Sequence, residues 1–110
     1  MITYEINKFG LREKDMDFML RIFESIPTIE KVILYGSRAT GTYERGSDVD
    51  IAISGQKISE DDISKINLLL EENKSNLLSY TAIHYETIKA VKLKEQIDKY
   101  GKVIYQKDLL

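Results

Sequence analysis

Leu34-Tyr-Gly-Ser-Arg-Ala-Thr-Gly-Thr-Tyr-Glu-Arg-Gly-Ser-Asp-Val-Asp-Ile-Ala-Ile53 joins two apolar runs through a glycine-rich loop. The first run, within Ile29 to Tyr35, is rich in sheet formers (Val32-Ile33-Leu34-Tyr35) and predicts a strand covered on both faces. Gly36 ends it, and three of the six glycines (Gly36, Gly41 and Gly46) mark residues 36 to 46 as a loop with room for one helical turn. The second run, Asp48 to Ser54, alternates Val49, Ile51 and Ile53 with Asp48, Asp50 and Ala52. Period two places both carboxylates on one face of a strand.

Two features of this stretch carry chemistry. Gly36-Ser37 directly follows a buried strand. A glycine there lets backbone amides approach a ligand, and a helical turn starting at Ser37 would offer N–H groups and a hydroxyl to a phosphate. Arg38 and Arg45 either add phosphate contacts or balance local acids. Asp48 and Asp50, two like charges on one face, repel each other and call for a cation between them. Magnesium suits that role, because it takes one or two carboxylates and fills its shell with phosphate oxygens and water. Phosphates beside a carboxylate-held magnesium define phosphoryl or nucleotidyl transfer.

Outward from this stretch, Leu11 to Ile26 predicts an amphipathic helix with Met16, Met19, Leu20, Phe23 and Ile26 inward, stopped by Pro27. Ser59 predicts an N-cap, with Glu60, Asp61 and Asp62 at the positive end of a helix that runs to about Asn73. Its inner face is Ile63, Ile66, Leu69 and Leu70. A third strand is expected over Leu77 to Tyr85, and a last helix over Ala90 to Tyr100 with Leu93, Ile97 and Tyr100 inward. Gly101 ends that helix, and Lys102 to Tyr105 adds an edge strand. The order implies one α/β (α+β) domain spanning residues 1–110.

Composition narrows the chemistry. With 16 Lys plus Arg against 18 Asp plus Glu, the net charge is −2, so direct nucleic-acid binding is not expected, although a local basic patch is compatible. The absence of cysteine excludes thiolate catalysis, disulfides and Cys-based zinc sites, and a single histidine, His84, excludes a multi-His site within one chain. Any metal should be a hard cation on carboxylate oxygens. No long apolar run suggests a membrane span, nor does the N-terminus read as a signal peptide, so a cytoplasmic location is expected. The seven tyrosines are expected mostly at core edges and interfaces.

The Gly36-Ser37 pair, residues 38 to 47 and the Asp48-Val49-Asp50 triplet together match a specific spacing: Gly-Ser, ten residues, Asp-x-Asp. The chain resembles the minimal nucleotidyltransferases of the DNA polymerase beta-like superfamily. Leu93 to Tyr105 resembles their usual ending, so the resemblance covers nearly the whole chain. It implies a small mixed β-sheet with helices packed mainly on one side. It further implies nucleotide contacts by Gly36, Ser37 and Arg38, and magnesium held by the catalytic carboxylates Asp48 and Asp50, with ATP or another NTP as substrate. Many members are paired with a small helical HEPN-type protein as antitoxins that transfer AMP to a tyrosine of that partner. A lone domain of this size lacks the extra helical domain of relatives that modify small molecules, which favours a protein acceptor; an oligomer is compatible.

One position departs from the family pattern. A third carboxylate is usual on the next strand, and counting back from Ile88 puts it at Thr81; a shift of two gives Ile83. Neither is an acid. His84 and Glu86 alternate with Thr81 and fall on the other face unless a bulge turns Glu86 inward. A neutral hydroxyl replaces neither a charged ligand nor a base near neutral pH, and losing either costs roughly two to four orders of magnitude in rate. A nucleotide-binding antitoxin with weakened catalysis is therefore the alternative expectation.

Overall fold

The computed structural model describes residues 7–72 and 78–107. The expected end of the third helix at Asn73 and start of the third strand at Leu77 lie outside the described residues. The elements are α1 (Glu13–Glu24), β1 (Lys31–Tyr35), α2 (Ser37–Thr40), β2 (Val49–Ser54), α3 (Glu60–Glu71), β3 (Tyr80–His84), a 3-10 turn (Tyr85–Thr87), α4 (Val91–Tyr100) and β4 (Lys102–Gln106).

The four strands form one mixed sheet in the order β3-β2-β1-β4. β1 pairs antiparallel with both β2 and β4, whereas β2 and β3 run parallel and are connected through α3. The apolar run read as a doubly covered strand is indeed interior: Val32, Ile33 and Leu34 are all buried. Lys102 pairs with Leu34 at the sheet edge, where an added strand was expected.

One face of the sheet carries the main core. Val32, Leu34, Val49, Ile51 and Ile53 pack there with Met19 and Phe23 of α1 and Ile63, Ile66 and Leu70 of α3. Ile22 joins this face although the helical stripe read from sequence passed beside it, and Met16 and Leu20 pack only partly buried. Asp15, buried within α1, is held by Arg12, whose Nε lies 3.2 Å from Asp15 Oδ2. Ser59 caps α3 as expected: its hydroxyl accepts from Asp62 N and its own N–H donates to Asp62 Oδ2, both at 3.1 Å.

The other face is only partly covered. Ile97 of α4 seats on Ile33 and Ala52, with Leu93, Ile83 and Tyr35 around it. Tyr100, expected in the inner stripe, remains 46% exposed, with the Lys99 ammonium 5.3 Å from its ring centre. α4 runs against β1 and ends at Gly101, whose missing Cβ leaves room for Ile33. Among the described residues, the long helices α1 and α3 thus lie on one side of the sheet and α4 on the other.

Candidate active site

One end of the sheet collects the residues of the Gly-Ser and Asp-x-Asp stretch. In the antiparallel register Tyr35 faces Asp50, and in the parallel register Asp50 faces Thr81. Residues paired across neighbouring strands share a face. Tyr35, Asp50 and Thr81 therefore form a row across three strands, with Tyr35 also packed against the Ile97 cluster. Ile83, the alternative position for a third acid, pairs with Ala52 and packs into the second cluster under α4.

Gly36 meets this row from above. Its backbone (φ 78°, ψ −157°) lies where L side chains rarely go, and it caps the short helix α2. A Cβ built on Gly36 would stand 3.0 Å from Asp50 Oδ2, so the glycine leaves the space that the carboxylate uses. Ser37 follows, half-buried, as the first residue of α2. The first bond inside that turn is made by Ala39 N–H to Gly36 O at 3.1 Å, so the Ser37 and Arg38 amides precede it.

The two carboxylates differ in setting. Asp50 lies within β2 and is half-buried; Asp48 lies one residue before the strand and is exposed. Burial pushes the Asp50 carboxyl above its ordinary range, and the neighbouring Asp48 charge pushes it further. Burial and the Asp50 charge likewise raise the Tyr35 phenol to about 12. That phenol remains a protonated hydroxyl at neutral pH beside the acids. The sequence places Tyr35 among the core-edge tyrosines; that it shares a face with Asp50 follows from the β1–β2 register, which no local signal in the sequence gives.

Thr81 is exposed on the edge strand beside Asp50. Among the described residues, no group of three or more His, Asp or Glu side chains is arranged to hold a metal ion. Glu86 does not approach the row. It sits on the 3-10 turn, where Ser54 Oγ donates to it at 2.5 Å and Gly55 N at 3.2 Å, at the opposite end of β2. His84 points to the α3 side, its Nδ1 3.5 Å from Glu60 and its Nε2 3.5 Å from Glu86.

Arg38, expected to reach the nucleotide or balance local acids, turns inward. It is 2% exposed. Its Nε and Nη2 donate to Ser47 O at 3.0 and 2.8 Å, and its Nη1 to Phe9 O and Gly10 O at 2.9 and 3.1 Å. The structure thus brings together Gly36, Ser37, Asp48, Asp50 and Thr81, and holds Arg38 behind them. Arg45 is exposed on the loop.

The fold is shared with several solved proteins. A chain of a toxin–antitoxin complex with AMP-PNP superposes with a TM-score of 0.68 at 20% identity, over 86% of this chain and 75% of that one. A complex of tri-AMPylated Shewanella oneidensis HEPN toxin with MNT antitoxin gives 0.62 at 15% identity, over 86% and 72%. A putative nucleotidyltransferase from Sulfolobus solfataricus gives 0.54 at 18% identity, over 87% and 84%. No curated protein matches the chain. In sequence, residues 19–109 match the family model described as polymerase beta, nucleotidyltransferase. That match takes in the Gly-Ser turn, both aspartates and the final strand, and the chain belongs to the polymerase beta nucleotidyltransferase family.

Proposed function

We propose that the chain is a magnesium-dependent nucleotidyltransferase that transfers AMP from ATP to a small helical HEPN-type protein, as the antitoxin of a toxin–antitoxin pair. One observation carries the reading: the Asp50 carboxylate is seated against the Cβ-less Gly36 at the Gly-Ser turn, with Asp48 close enough to raise its pKa. Two carboxylates that disfavour each other's charge suit a divalent cation, and both are hard oxygen donors of the kind magnesium takes. Bound there, magnesium would neutralise charge on the transferred phosphoryl group. On this reading Ser37 and the amides at the start of α2 would hold phosphate oxygens, an assignment supported by the positive φ of Gly36 ahead of them. Tyr35 offers a hydroxyl donor on the same face. On this reading the acceptor approaches the face that carries Tyr35, Asp50 and Thr81, and a partner chain would supply it. One structural neighbour, a complex of AMPylated HEPN toxin with MNT antitoxin, supports the choice of acceptor.

A second reading is favoured by Thr81. It stands beside Asp50 in register, where a third carboxylate would complete the site, and its hydroxyl supplies neither charge nor a base. On that reading the chain binds the nucleotide and the partner but transfers slowly. The test incubates the protein with labelled ATP, magnesium and the protein encoded beside it, and measures label on that protein. Transfer by the wild type that is lost in Asp48→Ala/Asp50→Ala supports the enzyme. Nucleotide binding with little transfer, raised about a hundredfold or more by Thr81→Asp, supports the weakened site. Neither binding nor transfer would sink both.

A further inference from the structure

Asp48 and Asp50 are positioned by different means. Asp50 is fixed by ladders on both sides, to Tyr35 and to Thr81. Asp48 precedes β2, is exposed, and has no strand partner. Its place follows from its two neighbours in the chain. On one side Val49 N donates to Ser79 O at 2.8 Å. On the other, Ser47 is tied at each polar atom: its N–H donates to Glu44 O at 3.0 Å, its hydroxyl accepts from Glu44 N at 2.8 Å, and its carbonyl accepts both Nε and Nη2 of Arg38.

The remaining Arg38 bonds run the other way, to the Phe9 and Gly10 carbonyls ahead of α1. The Tyr43 ring covers the guanidinium, with its centre 5.4 Å away. Gly10 (φ +73°) makes this possible, because a Cβ there would meet the Tyr43 ring and stand 2.9 Å from Arg38 Nη1. A buried guanidinium whose planar fork is filled by carbonyls on two sides acts as a rigid bracket. It joins the segment before α1 to the residue before Asp48, and it is closed on its far side by an aromatic ring.

We propose that Arg38 is a positioning residue for Asp48: it fixes the Ser47 carbonyl, and so the orientation in which the exposed aspartate meets a divalent cation. This rests on the nucleotidyltransferase reading above. It assigns Arg38 a role through another residue, in place of contact with the nucleotide. Lysine keeps the charge but presents a compact ammonium that does not reproduce the fork.

The test compares the wild type with Arg38→Lys and with Tyr43→Leu, which keeps the buried arginine and removes its cover. Amide hydrogen exchange resolved by residue is read on the metal-free chain, and Mn2+ affinity is measured with ATP present. The expected result is faster exchange at Ser47 and Val49 with Ile51 and Ile53 unchanged, together with about tenfold weaker Mn2+ binding for Arg38→Lys. Tyr43→Leu shifts both in the same direction by less, and carries the test if Arg38→Lys does not fold. Exchange that rises equally along β2 would mean a general structural role and would overturn the proposal. So would unchanged exchange at Ser47 and Val49, or loosened exchange with wild-type Mn2+ affinity. If the wild type holds no Mn2+ with ATP, or Asp50→Asn holds it equally well, the nucleotidyltransferase reading fails, and the role of the bracket fails with it. If Asp50→Asn abolishes binding while Arg38→Lys preserves it, only the bracket fails.

Discussion

Asp50 shows how a functional residue works against the fold that holds it. Its carboxyl is raised by burial first and by Asp48 second. A carboxyl whose folded pKa lies above its unfolded value favours the folded state most when protonated. That contribution is present below the unfolded value, about 3.9 for aspartate, and is lost as pH rises through the folded pKa. At neutral pH the ionised pair is therefore a cost to the metal-free protein. Asp50→Asn should raise Tm by a few degrees at pH 7 in the presence of chelator, and the gain should shrink as the pH falls toward the ordinary aspartate range. Added magnesium and ATP should then stabilise the wild type by mass action and leave the variant unmoved. Thermal melts across pH with and without magnesium check both parts; a variant no more stable than the wild type at pH 7 would contradict the burial-and-repulsion account. At this scale the sequence was informative about Gly36, Ser37, Asp48 and Asp50, because spacing along two strands and one loop is local information. It was uninformative about Arg38, whose partners Phe9 and Gly10 lie 29 and 28 residues away and are carbonyls that any residue type provides.

Elements were legible where local chemistry sets their ends. Pro27 lies just beyond α1, Gly36 ends β1, and the Ser59 box opens α3 within one residue of where it was read. The α3 box also titrates. The Ser59 backbone N–H and the Thr28 hydroxyl, 3.0 Å from Oδ2, hold Asp62 below its usual carboxylate range. A depressed carboxyl contributes stability that is present above its unfolded pKa and is lost as pH falls through its folded pKa. Ser59→Ala should cost about 1 kcal/mol at neutral pH. The Asp62 half of the box rests on the Ser59 backbone N–H, which the variant keeps, so both proteins should lose that half in acid and the gap between them should stay nearly constant; denaturant titrations at neutral and acid pH measure this. Side-chain service to an edge is what the local pattern did not reveal. Asn67 on α3 donates to Ala82 O at 3.0 Å and accepts from Ala82 N at 2.9 Å, completing the outward side of edge strand β3 next to Thr81. An asparagine inside a helical run carries no sign of the strand it will meet, because that meeting depends on how α3 crosses the sheet.

For the whole molecule, the division of labour between the two sheet faces matters most. The α1/α3 face holds most of the buried apolar side chains, whereas the α4 face rests on Ile33, Ala52 and Ile97 with partly buried neighbours. Among the described residues, α1 and α3 pack on one face, and α4, of ten residues, packs on the other. Ile97 is the most buried α4 side chain on that face. Tyr100 could not take over, being 46% exposed. Ile97→Ala removes a side chain that is 1% exposed and leaves a cavity over Ile33 and Ala52, which should cost about 2–5 kcal/mol of global stability. Because the strands under Ile97 are the same β1 and β2 that carry Tyr35 and Asp50, the loss should appear as one cooperative transition and not as a loosened α4 alone. Denaturant unfolding followed by tyrosine fluorescence and by far-UV circular dichroism should give coincident curves shifted to lower denaturant, with an unchanged slope. Separate transitions would mean that α4 docks on a sheet already complete without it.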